Sequence, residues 1–214
     1  MIVYLGMPRC ASTWLYDNLK HIEPNRATVK ETHHFYKSPV DLKDYCETNM
    51  LDFSTNNWSM DSTVVKEIDP LVSNYILIIR DPIELTMSYR SLFNISQPLD
   101  EFTYTLILNK MLCYGDIIER WCGLVDPNKI LIYRYSDLLA NNEEFLASIT
   151  KQLHIPMASI PDKMLKTNIT NKYVQPMDQE TTKLLQCKII LQQQIEKFEK
   201  ITNIPTNFSI NNLL

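Results

Sequence analysis

Residues Tyr4–Leu15, YLGMPRCASTWL, decide how this chain is read. An apolar run from Met1 to Leu5 reaches a glycine, a short loop of small and basic residues follows, and Thr13-Trp14-Leu15-Tyr16 opens a helical pattern. A strand that turns tightly into a helix N-terminus collects several backbone N–H groups at one point, and the helix dipole adds partial positive charge there. Arg9 brings a full charge beside them, while Ser12 and Thr13 bring hydroxyl donors. The chemistry on offer suits a phosphate. Taken alone, an ordinary strand-to-helix turn with a surface arginine would read much the same.

The loop is not the kinase-type phosphate loop, which needs G-x-x-x-x-G-K-[ST]. Gly6 is followed five positions later by Ala11 and then by Ser12-Thr13, with no lysine between them. The order P-R-x-[AG]-[ST]-T-W-L instead resembles the 5′-phosphosulfate loop of sulfotransferases, enzymes that use 3′-phosphoadenosine 5′-phosphosulfate (PAPS). That loop usually has lysine where Arg9 stands and glycine where Ala11 stands. The resemblance implies that loop 6–14 holds the donor through Arg9, Cys10, Ala11, Ser12, Thr13 and Trp14.

A second segment extends the resemblance. In Asn74–Phe93, NYILIIRDPIELTMSYRSLF, Tyr75–Ile79 is a continuous apolar and β-branched run, as expected of a buried parallel strand. Arg80 follows at its carboxyl end, where open α/β sheets bind ligands. Pro82 fits a first helical position and Asp81 a cap. Sulfotransferases carry R-[DN]-P-x-x-x-x-x-S at this place, so the resemblance puts Arg80 and Ser88 on the 3′-phosphate. A guanidinium fork matches a phosphate bidentately. A strand-terminal arginine paired with Asp81 or Glu84 is the plainer alternative. Leu85 and Arg90 depart from the family pattern, which often has arginine and tyrosine there, and no contact is carried over to them.

Lys30-Glu31-Thr32-His33-His34-Phe35-Tyr36 resembles the K-E-x-H-F-F segment of the carbohydrate sulfotransferases, including those acting on heparan sulfate. In that branch the glutamate is the proposed general base. Glu31 follows the apolar stretch Ala27–Val29, expected to be a strand, and Lys30 and His33 flank it. A carboxylate so placed can take an acceptor proton, and Arg9 with the loop amides can stabilise the leaving phosphate. His33 is the rival base, since other branches use histidine. A solvated Lys30–Glu31 pair with a surface histidine turn is the non-catalytic reading. No Cys/His spacing of a zinc site accompanies the two histidines, so no metal is expected.

The remaining chain agrees in layout. Tyr104–Trp121 has helical spacing, Lys129–Tyr135 reads as a strand, and Ser136–Leu139 and Glu143–His154 read as helical. GDIIERWCGLVDPNKILIYRYSDLL resembles a further family segment, so the likeness spans most of residues 1–160. Met164–Pro176 has a loop composition, in which the family resemblance makes Lys172 a candidate phosphate contact. A helix from Asp178 carries the stripe Leu184, Cys187, Leu191, Ile195 and Phe198.

Composition sets bounds. The 214 residues suit one domain, with 45% hydrophobic content and a net charge of −4 that argues against nucleic acid as the main partner. Five irregularly spaced cysteines suit reduced thiols, and neither a secretory leader nor a membrane span is read, giving a cytoplasmic expectation. The expected architecture is a three-layer P-loop-type α/β fold, with a central parallel sheet and helices on both faces. The resemblance implies sulfuryl transfer from PAPS, without metal, to a hydroxyl on a glycan or small molecule, by a monomer or homodimer. A P-loop nucleotide or small-molecule kinase and a nonenzymatic nucleotide-binding relative are the alternatives.

Overall fold

The computed structural model describes residues 1–21, 29–37, 41–156 and 182–208. The chain divides into two compact units, one of Met1–Ile79 with Leu124–Ile169 and one of Arg80–Gly123 with Thr170–Leu214.

The first unit is built on a parallel sheet of β1 (Ile2–Tyr4), β2 (Leu51–Asp52), β3 (Asn74–Ile79) and β4 (Ile130–Arg134), in the order β2-β1-β3-β4. Strand β1 pairs with β2 through Ile2↔Leu51 and Val3↔Asp52, and with β3 through Tyr4↔Ile76. Strand β3 is buried from Tyr75 to Ile79, which explains its unbroken apolar sequence: a parallel strand covered on both faces has no solvent side to alternate with. Burial of each large aliphatic side chain contributes roughly 1.5–3 kcal/mol. Helices α1 (Ser12–Leu19), α2 (His34–Lys37), α3 (Leu42–Thr48), α4 (Ser62–Ile68), α8 (Tyr135–Ala140) and α9 (Asn142–Gln152) flank the sheet in this unit. The chain leaves β1 for β2 on one side, then places β3 on the other. The reversal point between β1 and β3 is where open α/β sheets take ligands, beyond the carboxyl ends.

The second unit is helical, with α5 (Pro82–Phe93), α6 (Leu99–Leu108), α7 (Tyr114–Cys122) and α10 (Thr182–Thr202). Asp81 caps α5 as its sequence predicts, accepting from the backbone N–H of Ile83 and Glu84 at 2.9 and 3.1 Å. Cys187, Leu191, Ile195 and Phe198 are buried, making the expected core face of α10. Helix α10 crosses α7 closely at Gly115, where a Cβ would come within 2.6 Å of the Gln194 carbonyl oxygen. Beside this crossing Asp116 accepts from Gln194 Nε2 and Lys197 Nζ, both at 3.0 Å, and from Lys110 Nζ at 3.2 Å.

Two expectations need correction. The helix read over Tyr104–Trp121 is interrupted, because the chain turns at Asn109–Cys113 with Lys110 at φ 62° and restarts as α7. Val29 lies outside any strand, with Ala27 and Thr28 outside the described residues, and β1 pairs instead with Leu51–Asp52.

Candidate active site

Past β1 the loop is braced from below. The Tyr4 hydroxyl donates to the Cys10 carbonyl at 2.6 Å, crossing directly over Gly6. A Cβ at position 6 would run into the Tyr4 phenol, so glycine is required there by close approach; its φ is not positive. Arg9 and Ala11 have φ of 70° and 63°, the left-handed conformation from which backbone N–H groups converge on an anion. Ala11 is the N-cap of α1 and offers no capping side chain. The first-turn N–H groups therefore lack a side-chain cap and are suited to an external anion. The family-type glycine at position 11 is now explained, and the alanine adopts a conformation costing about 1–2 kcal/mol.

Arg9 is half-buried in this loop, Cys10 is fully buried, and Ser12 is buried while Thr13 is exposed. Cys10 fills the turn beneath the loop. The Trp14 indole N–H is buried without a hydrogen-bond partner among the described residues, and its ring lies 6.0 Å from Phe145. A buried indole donor left unmet is costly, about 1–3 kcal/mol. The left-handed loop and the uncapped helix together suit a bound anion such as a phosphate.

Glu31 arrives at the same sheet edge by another route. Phe53, immediately after β2, stacks on Tyr4 with ring centroids 5.2 Å apart, and its backbone N–H donates to the Lys30 carbonyl at 3.2 Å. One aromatic residue thus joins the loop brace to the Lys30–His34 segment. The Glu31 carboxylate accepts from Lys30 Nζ through Oε1 and faces His33 Nε2 through Oε2 at 3.6 Å. Its side chain is 34% exposed, accessible enough to meet an acceptor.

What fixes this segment is a residue the sequence reading missed. Asp52 is fully buried at the end of β2, and its Oδ2 accepts from the Tyr45 hydroxyl at 2.7 Å and the Thr32 hydroxyl at 3.1 Å. Its Oδ1 accepts from Ser54 N–H and Asn57 Nδ2, each at 2.9 Å. A buried carboxylate needs this degree of satisfaction. Burial, followed by the adjacent Asp52 charge, raises the Tyr45 phenol well above its ordinary range, so the hydroxyl stays a donor. Tyr45 also stacks on His34, centroids 4.0 Å apart. The available signal was an acid inside the apolar run Met50-Leu51-Asp52-Phe53.

The helical unit carries the other predicted residues. Arg80 directly follows β3, and its Nε lies 3.5 Å from Glu84 Oε2 one turn along. Tyr114, buried on α7, donates its hydroxyl to the Arg80 carbonyl at 3.0 Å and accepts from Arg80 N–H at 3.3 Å. Its ring lies 6.4 Å from Phe198 and 6.3 Å from Phe208. Tyr114 therefore sets the backbone from which Arg80 projects, a role invisible in its local sequence pattern. Ser88 lies on α5, half-buried, and Leu85 is in the core of this unit. Lys172 lies outside the described residues. No group of three or more metal-ligating side chains occurs among the described residues, and no helix there is long and apolar enough to cross a membrane.

No protein-family model and no curated protein sequence matches this chain. Its architecture has counterparts among solved structures. The sulfotransferase from Alicyclobacillus acidocaldarius aligns with a TM-score of 0.68 at 11% identity, over 94% of this chain and 95% of that one. The sulfotransferase domain of the Synechococcus PCC 7002 olefin synthase gives 0.54 at 16% identity, over 80% of this chain and 78% of that one. The sulfotransferase domain from the curacin biosynthetic pathway gives 0.50 at 15% identity, over 77% and 76%. At these identities the likeness is one of architecture: the chain has the mixed α/β fold of the sulfotransferases, with its central parallel sheet flanked by helices.

Proposed function

We propose that this protein transfers a sulfuryl group from PAPS to an acceptor hydroxyl. The observation that carries the reading is the loop after β1, braced by Tyr4 across Gly6 and twice left-handed, with Arg9 at its crest. The sulfotransferase architecture supports it. PAPS supplies the activated sulfuryl group and a phosphate leaving group. Arg9, with the backbone of Cys10, Ala11, Ser12, Thr13 and Trp14, binds the 5′ end and favours negative charge developing there. Arg80 and Ser88 take the 3′-phosphate, with Lys172 as a further contact.

Glu31 is the base in this reading, paired with Lys30, and His33 assists it. The carbohydrate acceptor class rests on the likeness of Lys30–Tyr36 to the glycan-modifying branch. A kinase is disfavoured by the loop itself, which lacks the lysine that a terminal phosphate requires.

Adenosine 3′,5′-bisphosphate (PAP) should bind without metal. At a concentration 100 times Kd the folded state gains about 2.7 kcal/mol. For a chain of this length that is a rise in Tm of about 5–10 °C. Arg80→Ala should weaken PAP by roughly 2–4 kcal/mol while changing adenosine 5′-phosphate much less. A larger shift with MgATP than with PAP would overturn the proposal.

A further inference from the structure

His33 has a partner at each ring nitrogen. Nδ1 lies 2.9 Å from Asn56 Oδ1, and Nε2 lies 3.6 Å from Glu31 Oε2. An amide oxygen only accepts, so the Asn56 contact demands a proton on Nδ1. In the neutral ring the lone pair then belongs to Nε2, the nitrogen turned toward Glu31. Asn56 is itself anchored, because its backbone carbonyl accepts from the Tyr36 hydroxyl, and from Ser59 Oγ and Ser59 N–H at 3.1 Å each.

The backbone of His33 is held with equal care. Its N–H donates to Ser54 Oγ at 3.0 Å, its carbonyl accepts from Tyr36 N–H at 3.1 Å, and its φ is 52°. A left-handed histidine is uncommon and persists only where its surroundings over-determine it. Ser54 is bonded in turn to the buried Asp52. Residues 52–59 thus form one frame that orients the imidazole from both its backbone and its Nδ1 side.

We propose that Asn56 is a positioning residue that fixes His33 as the Nδ1–H tautomer, so that the Nε2 lone pair faces Glu31 Oε2 and can receive the proton Glu31 takes up. The catalytic use of this pair rests on the sulfuryl-transfer reading; the tautomer itself does not. In that use the acceptor proton is taken at Glu31 Oε2 and passed to Nε2. The electron pair left on the acceptor oxygen forms its bond to sulfur, and the bond from sulfur to the phosphate oxygen breaks toward that oxygen. The resulting imidazolium has an acceptor for each N–H, Asn56 Oδ1 at one end and the restored carboxylate at the other. An apolar neighbour in place of Asn56 would leave the ring to choose its own tautomer and present an N–H to Glu31.

Long-range proton–nitrogen correlation spectra of the nucleotide-free protein, labelled with ¹⁵N-histidine, read the tautomer directly. The chain has four histidines, and His33→Gln identifies the signal by its loss. With the ring neutral, wild-type His33 should carry its proton on Nδ1. Asn56→Leu should shift the tautomer ratio toward Nε2–H by roughly tenfold, about the worth of one hydrogen bond. Asn56→Asp, still an acceptor, should retain the Nδ1–H form.

A wild-type His33 protonated on Nε2 would mean that the Asn56 amide presents its NH2 group, and would overturn the proposal. An Asn56→Leu ratio equal to wild type would do the same. If Asn56→Leu fails to fold, the wild-type and Asn56→Asp spectra decide. PAP binding measured on the same samples separates the two readings: a correct tautomer in a protein that does not bind PAP would overturn the proton relay's catalytic use and leave the placement of Asn56 intact.

Discussion

Replacing Asp52 tests how the segment carrying Glu31 is held. Two of its partners, the hydroxyls of Thr32 and Tyr45, lie 2.6 Å apart and can satisfy one another when the carboxylate is removed. The Ser54 N–H and Asn57 Nδ2 can only donate, so Asp52→Ala strands them in a fully buried place. Each stranded donor costs about 1–3 kcal/mol, and with the cavity the total should reach about 3–5 kcal/mol. Asp52→Asn behaves differently: its oxygen can face the two obligate donors while its NH2 group faces the two hydroxyls, which rotate to accept. That variant loses charge assistance alone, about 1–2 kcal/mol. At about 2–4 °C per kcal/mol, Asp52→Ala should lower Tm by at least about 6 °C, and Asp52→Asn by distinctly less. Thermal unfolding followed by circular dichroism measures both. An alanine variant as stable as the asparagine variant would refute the donor count on which the argument rests.

Gly6→Ala should destabilise by about 2–4 kcal/mol, because the new methyl displaces the Tyr4 phenol, whereas Tyr4→Phe should cost only about 1 kcal/mol; denaturant titration of the pair checks the order. Ala11→Gly should raise Tm by about 2–4 °C through relief of its left-handed backbone, and a fall in Tm would contradict that strain. Glu31→Gln should lower kcat by roughly 10²–10⁴ with PAP affinity nearly unchanged, and a near wild-type rate beside an inactive His33→Ala would move the base role to His33. At Asp116 desolvation pushes the pKa up, but hydrogen bonds from Gln194, Lys197 and Lys110 outweigh it and hold the carboxyl below its ordinary value. A depressed carboxylate contributes stability above its unfolded pKa and loses it as pH falls through the folded value, so Asp116→Asn should flatten the stability profile below about pH 4.

The parts of the site legible in the sequence are those whose causes are local. Gly6, the apolar run of β3 and Asp81-Pro82 each announce a tight loop, a buried strand or a helix start within a few consecutive residues. Strand β2 is two residues long and shows no periodicity, so the partner of β1 could not be read. Asp52 draws donors from positions 32, 45, 54 and 57, an assembly that exists only once the chain has closed. The break after α6 contains neither glycine nor proline, and Lys110 adopts its left-handed conformation without a sequence signal. Asn56 was equally hidden, since its meaning lies in which atom it turns toward a histidine 23 positions earlier.

The close crossing of α7 and α10 also dictates an order of events during synthesis. Asp116 and Lys197 are 81 residues apart, so this crossing cannot form until α10 has been made. Domains fold as units while the chain is made from its N-terminus, and the four described strands, β1 to β4, end at Arg134 and emerge well before α10. Tyr114, which grips the Arg80 backbone, packs near Phe198 and Phe208 and gains those neighbours only at that last step. A nascent or C-terminally clipped chain would carry the Gly6 loop and the Tyr114–Arg80 bonds while Tyr114 still lacked its packing against Phe198 and Phe208.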